Sequence, residues 1–251
     1  MRILDDKKRG LVWCNLGKVE NFNAEDHVCQ NDFRKELNSW ASHPNFASIE
    51  EFILGSKADD FGTFMQHFNQ DNRQVFYAFE NAEMVGVCVT TGKAYLHDFV
   101  KLKMYLHYCA QHKINGVSGC LNVSEIVHAL NNDTGKNNTY IEYVAVKPSK
   151  FGKGIGTRIV SSIKEVPTFF FGVNEKSEVN LTRTCIHNAN EASKKIFKRN
   201  DFLPIYEDYI SCSGFKEYFN IPNAPTDSPT THEDLLKDES LKLFNDDILI
   251  L

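Results

Sequence analysis

The sequence has no run approaching the roughly 18 consecutive apolar residues of a membrane span, and its charged opening, MRILDDKKRG, has no apolar stretch behind it. Neither membrane insertion nor export is expected, and the protein reads as cytoplasmic. Cysteine occurs seven times but always singly, with no Cys-x-x-Cys pair and an odd total. That pattern speaks against a disulfide framework or a structural zinc site and suits a reducing compartment. His97, His107, His112 and His128 show no i, i+4 pairing of the kind a helical metal site uses, so no metal is expected. Positive charge is not in excess either. The formal net charge is −5, and residues 221–251 account for all of it, with seven acids against two lysines. The neutral remainder offers no basic face to nucleic acid. Gly-Lys-Ser/Thr is absent throughout, which excludes a P-loop.

What the chain does have is glycine at alternating positions, Gly152, Gly154 and Gly156, inside KPSKFGKGIGTRI (147–159). Each glycine costs a helix about 1 kcal/mol relative to alanine, so the segment needs them for another reason. Consecutive main-chain N–H groups leading into a helix N-terminus form an anion site, backed by the helix dipole. A dinucleotide fingerprint would place its third glycine at Thr157 and end its strand directly before Gly152; neither holds here. A structural turn without a ligand is the other reading of the glycines alone.

Around this loop the second half of the chain alternates strand and helix. TYIEYVAV (Thr139–Val146) reads as a strand ended by Pro148, Gly156–Glu165 as a helix, Glu178–His187 as a strand, and Asn190–Asn200 as a helix capped by Asn190. This order predicts a βαβ unit with a parallel strand pair. LPIYEDYIS and GFKEYFN predict a final hairpin. Upstream, RQVFYAFENAEMVGVCVTTG predicts a hairpin over 75–80 and 83–90. Residues 91–138 predict two helices, the second opened by an Asn-x-x-Glu cap. The first seventy residues give one clear signal, a capped helix at SIEEFI (Ser48–Ile53). After residue 220 a Pro/Ser/Thr-rich linker leads into an acidic amphipathic tail. Its Leu235, Leu236, Leu241, Leu243, Phe244, Ile248, Leu249 and Ile250 would be poorly tolerated in water, so it is expected to dock on the body or on a second copy as a homodimer contact.

The segments YIEYVAVKPSKFGKGIGTRIV and NANEASKKIFKRNDF resemble, in order and spacing, the two signature segments of the GNAT acyl-CoA N-acyltransferase superfamily. Gly154 and Gly156 match the first signature, with Phe151 in its Arg/Gln place. Asn190, Ser193, Phe197, Asp201 and Phe202 fill the second, with Phe197 where a tyrosine is usual. Gly86 in MVGVCV also stands where the family has a glycine. The resemblance covers about residues 75–90 and 139–215, and implies an α+β fold: a central twisted mixed sheet with two splayed parallel strands, flanked by helices. Residues 1–220 would form the acyltransferase domain, with 91–138 as a helical insertion untypical of the family.

The resemblance further implies acetyl-CoA as cosubstrate and an amine of a small molecule or protein as acceptor. The pantetheine arm would lie between the splayed strands on the main chain of Val144, Ala145 and Val146. The loop formed by Phe151, Gly152, Lys153, Gly154, Ile155, Gly156 and Thr157 would hold the pyrophosphate. Asn190, Ser193, Phe197 and Lys198 would complete the cofactor site. The Val146 N–H is where the family polarises the thioester carbonyl. Glu142 shares side-chain parity with Val144 and Val146, four residues before the expected splay, which makes it the candidate base. Because Phe197 carries no hydroxyl, Tyr206 and Tyr209 are the candidate acids. A second reading, a coenzyme A-binding module without turnover, follows from the departures at Phe151 and Phe197.

Overall fold

Asn81 and Ala82 both hold positive φ, 50° and 62°, the backbone that a two-residue hairpin turn requires. They join β3 (Arg73–Glu80) to β4 (Glu83–Thr91), the hairpin read from the sequence alternation. The computed structural model describes residues 1–17, 21–41, 73–91, 96–131, 138–165, 181–205 and 215–221. Within them the sheet grows from this hairpin in both directions. On one side lie β2 (Leu11–Asn15) and β1 (Arg2–Asp6); on the other lie β5 (Asn138–Val146), β6 (Leu181–His187), β8 (Phe215–Asn220) and β7 (Leu203–Pro204). The order of the eight strands is β1-β2-β3-β4-β5-β6-β8-β7. Only β5 and β6 pair in parallel among them, so the sheet is mixed and the fold α+β, as read from the sequence.

Among the described residues five α-helices cover this sheet: α1 (Ala24–Ala41), α2 (Leu96–His112), α3 (Val123–Asn131), α4 (Ile155–Glu165) and α5 (Glu191–Lys198). The Asn-x-x-Glu cap of α3 forms in both directions. Asn122 N–H donates to Glu125 Oε2 at 2.7 Å, and Glu125 N–H donates to Asn122 Oδ1 at 2.9 Å. The helix expected at Ser48–Ile53, the tail after Ile221, and Tyr206 and Tyr209 lie outside the described residues.

Alternation along the strands assigns the helices to faces. Phe76, Ala78, Cys88 and Ile186 pack with Ile155, Ile159, Val160 and Phe197 of α4 and α5. The opposite face carries Val75, Tyr77, Val87, Tyr143 and Ala145 against Leu37 and Trp40 of α1. Farther along that face, Leu181 and Phe219 are covered by Leu102, Tyr105, Leu106, Ile126 and Ala129 of α2 and α3. The helix pair between β4 and β5 thus supplies the cover for the β6–β8 half of the sheet. Gly86 sets how closely α4 approaches: a Cβ there would lie 2.2 Å from Ile159 Cδ1 and 3.0 Å from Ala145 O.

Candidate active site

The parallel pairing of β5 and β6 is short. It runs from Asn138↔Leu181 to Ile141↔Thr184 and stops. Beyond that point β5 stays paired with β4 through Val146, while β6 turns to β8 through His187. The cause lies at Glu142. Opposite β4 the register steps from Val89↔Tyr143 to Thr90↔Ile141, so Glu142 is the extra residue of a β-bulge, a device that bends a strand and increases its twist. The gap therefore opens immediately after Ile141, not four residues after Glu142 as expected from the sequence. Glu142 stands at its vertex.

The ladder geometry fixes which main-chain groups face this gap. Lys147 N–H donates to Val85 C=O at 2.9 Å. In an antiparallel ladder, residues alternate between pairs that exchange hydrogen bonds and pairs that do not. Val146 and Val144, opposite Gly86 and Cys88, fall on the second kind. Their N–H and C=O groups point away from β4, into the gap.

At the outer end of the gap sits the glycine loop. Gly152 and Gly154 hold φ of 74° and 76°, the left-handed region that glycine enters without strain, and the space where a Cβ would stand is open at both. Gly156 serves another purpose. A Cβ there would come within 2.7 Å of Ile196 Cδ1 and 3.4 Å of Val146 Cγ2, so this glycine lets α4 rest on α5. The first hydrogen bond of α4 runs from Arg158 N–H to Gly154 C=O at 3.1 Å. The N–H groups of Ile155, Gly156 and Thr157 therefore have no acceptor within the helix and are available to an anion.

Gap and loop form one cavity of about 1000 Å³. It is lined by Glu142 and by Val144, Ala145, Val146, Phe151, Gly152, Gly154, Ile155, Gly156, Thr157, Asn190, Ser193 and Phe197 from the expected cofactor set. Lys153 and Lys198 are exposed and stand outside the lining. Asn190 caps α5, its Oδ1 accepting from Ser193 N–H at 3.0 Å, while its amide nitrogen has no partner among the described residues. Phe197 is buried and meets Phe202 edge-to-face at 5.0 Å. Among the described residues no group of three or more His, Cys, Asp or Glu gathers as a metal site, and no described helix is long and apolar enough to cross a membrane.

Several lining residues were missed in the sequence. Thr184, Cys185, Ile186 and His187 come from the free end of β6, and Glu217 from β8. The signal was available in principle, since a strand that parts from its neighbour must expose its last residues to the gap. Glu217 is held by Lys101 of α2 and lies 3.8 Å from Arg183, so the helix pair between β4 and β5 reaches the cavity wall through an ion pair. The Arg183 guanidinium in turn sits 4.4 Å over the Tyr140 ring. Burial, reinforced by the charge of Glu217, pushes the Cys185 thiol up to about 11, so it remains protonated at neutral pH.

The model of the Acetyltransferase (GNAT) family matches residues 34–202, two thirds of the chain, and the protein belongs to that family. It is accordingly an enzyme of the N-acetyltransferase class. Among solved structures, AAC(6')-Ib in complex with paromomycin and acetyl-CoA is similar at a TM-score of 0.50 and 14% identity, covering 88% of this chain and 99% of the other. A spermidine N-acetyltransferase chimera of Vibrio cholerae SpeG and hSSAT gives a TM-score of 0.47 and 7% identity, covering 91% and 99%. Campylobacter jejuni N-acetyltransferase PseH in complex with acetyl coenzyme A gives 0.41 and 14%, covering 84% and 99%. At these identities the likeness is one of fold. No curated protein sequence matches the chain.

Proposed function

We propose that this protein transfers the acetyl group of acetyl-CoA to a primary amine of a small molecule or protein by direct attack. The observation that carries the reading is the continuous cavity from the β5–β6 vertex to the glycine loop. It offers extended-strand main chain at one end and unpaired helix N–H groups at the other, which is what a long cosubstrate with a thioester arm and a pyrophosphate needs.

In this reading the N–H groups of the loop from Gly152 to Thr157 hold the pyrophosphate, with Phe151 against the same part of the molecule. Main-chain groups of Val144 and Val146 and the amide of Asn190 align the pantetheine arm. The Val146 N–H polarises the thioester carbonyl. Glu142, at the vertex, takes a proton from the incoming ammonium, directly or through water. The neutral amine then forms the C–N bond, the C–S bond breaks, the nitrogen releases its second proton to water, and coenzyme A leaves as thiolate and takes up a proton from the acid. A free thiol has a pKa near 8.5, so its anion is a tolerable leaving group, and acid assistance contributes about 10²- to 10⁴-fold to such steps. The acid is assigned to Tyr206 or Tyr209.

Direct attack, without an acyl-enzyme, is supported by the thiol inventory of the wall. Cys185 lines the cavity, but its raised pKa keeps it from serving as a nucleophile at neutral pH. Incubation with acetyl-CoA and a panel of diamines, aminoglycosides, amino sugars and lysine peptides should release free thiol in step with acetylated product. Binding of acetyl-CoA with transfer to none of these would contradict the proposal and favour the binding-module reading. We further place the enzyme in the cytoplasm, on the dispersed odd cysteines, and assign the C-terminal tail to a homodimer contact.

A further inference from the structure

Four basic residues line the cavity: Lys150, His187, Lys195 and Arg199. Lys150 is already committed, with Glu83 at 2.7 Å and Glu80 at 3.7 Å. Lys195 and Arg199 make no ion pair among the described residues, although Glu191, at the start of the same helix, is bound to Lys194. Their spacing is i, i+4, and Arg199 N–H donates to Lys195 C=O at 3.2 Å, so the helical turn is closed and both side chains share one face of α5.

Two contacts set the adjoining face of α5, one residue round the helix, against α4 beside the glycine loop, and the cavity lining brings Lys195 and Arg199 to the same place. Ile196, next to Lys195, is the residue on which Gly156 rests. Asn200, next to Arg199, donates through Nδ2 to Thr157 C=O at 3.2 Å and to Ile196 C=O at 3.0 Å, which ties the end of α5 to the first turn of α4. The two cations therefore flank the N–H groups assigned to the pyrophosphate, on the side of the cavity remote from Glu142.

We propose that Lys195 and Arg199 form a second anion site that takes the 3′-phosphate of coenzyme A. Together they make the enzyme discriminate the 3′-phosphorylated cosubstrate from its dephosphorylated form. The inference rests on the coenzyme A reading and adds a specificity determinant that the glycine loop cannot supply, because the pyrophosphate is common to both molecules. Two exposed charge-assisted contacts correspond to about tenfold in affinity.

The test is calorimetric titration of the full-length protein with coenzyme A and with 3′-dephospho-coenzyme A, for the wild type and for the double variant Lys195→Gln/Arg199→Gln. Both side chains are exposed, and matching melting curves verify that the variant is folded. The wild type should bind coenzyme A about tenfold more tightly than the dephosphorylated form, and the double variant should lose that preference by weakening coenzyme A alone. A variant that weakens both ligands equally, or neither, overturns the second site while leaving the glycine loop in place. A wild type that binds neither ligand overturns the coenzyme A reading and this inference with it.

Discussion

Thr184 Oγ1 donates to Ile141 C=O at 2.9 Å, and this buried hydrogen bond ties β6 to β5 at the last residue pair before the strands part. It holds the vertex of the cavity closed at one end, one residue away from Glu142. Thr184→Val keeps the shape and deletes the donor, so it should cost about 1–2 kcal/mol of stability. It should also weaken acetyl-CoA binding, because the vertex loses its fixed opening angle. Chemical denaturation and calorimetry check both effects, and an unchanged affinity in a destabilised variant would confine the bond to a structural role.

The glycines of the loop should separate by mechanism. Gly156→Ala places a methyl against Ile196 and Val146, so its effect is overpacking between α4 and α5, about 1–3 kcal/mol on stability. Gly152→Ala meets open space and a left-handed backbone, so its cost is conformational, about 1–2 kcal/mol. Truncating Ile196 to Val should relieve part of the Gly156→Ala penalty and none of the Gly152→Ala penalty. A double-mutant cycle reads the difference.

Catalysis by direct attack predicts that Cys185→Ala retains turnover within about twofold, and that Cys185 alkylates slowly at pH 7–8 because its thiol is held protonated. Glu142→Gln should lower kcat/KM by about 10²-fold or more, the usual share of a general base, most strongly at low pH where the acceptor is protonated. Phe197→Tyr should raise kcat if its added phenol reaches the leaving sulfur, and leave it unchanged if the acid is Tyr206 or Tyr209. Steady-state rates across pH 6–9 for the three variants test these assignments.

A pH effect on stability follows from the ion pair that anchors the strand entering the loop. The Glu36 carboxyl is held below its ordinary value of 4.5, first by a hydrogen bond from Lys147 and then by Trp40. The Lys147 ammonium is held above its ordinary 10.5, first by Glu36. The pair, at 2.6 Å, thus stabilises fully between pH 4.5 and 10.5. Its contribution fades as pH falls through the lowered Glu36 value, and again as pH rises through the raised Lys147 value. Because Glu36 is a third exposed, solvent screening limits the effect to about 0.5 kcal/mol. Glu36→Gln should flatten the decline of melting temperature below pH 4.5, and a decline identical to wild type would remove this pair from the account.

The βαβ half of the fold was legible because its signals are local. Alternation marks β5, an Asn cap marks α5, and the glycines mark the start of α4. The first seventy residues were opaque for a physical reason. The inward stripe of α1 runs through Gln30, Phe33, Leu37 and Trp40, and its polar member is satisfied from far away, Gln30 Oε1 accepting from the Tyr77 hydroxyl at 2.9 Å. No window around Gln30 contains that partner. The same holds for Glu217, whose place in the cavity wall depends on β8 lying beside β6, and for Gly156, whose neighbour Ile196 is forty residues on. The family resemblance implies Lys198 beside the cofactor, but the helical turn presents Lys195 and Arg199 to the cavity instead.

The measurement that bears most directly on the account is acetyl-CoA binding to two nearly isosteric variants at one glycine. Asn and Asp both tolerate the left-handed backbone of Gly154, so Gly154→Asn reports the strain and bulk of a side chain and Gly154→Asp adds only the charge. If the loop holds the pyrophosphate, calorimetry will show binding by the wild type, a reduced affinity in Gly154→Asn, and a further loss of about tenfold or more in Gly154→Asp from like-charge repulsion. Equal affinities of folded Gly154→Asn and Gly154→Asp for acetyl-CoA would contradict it.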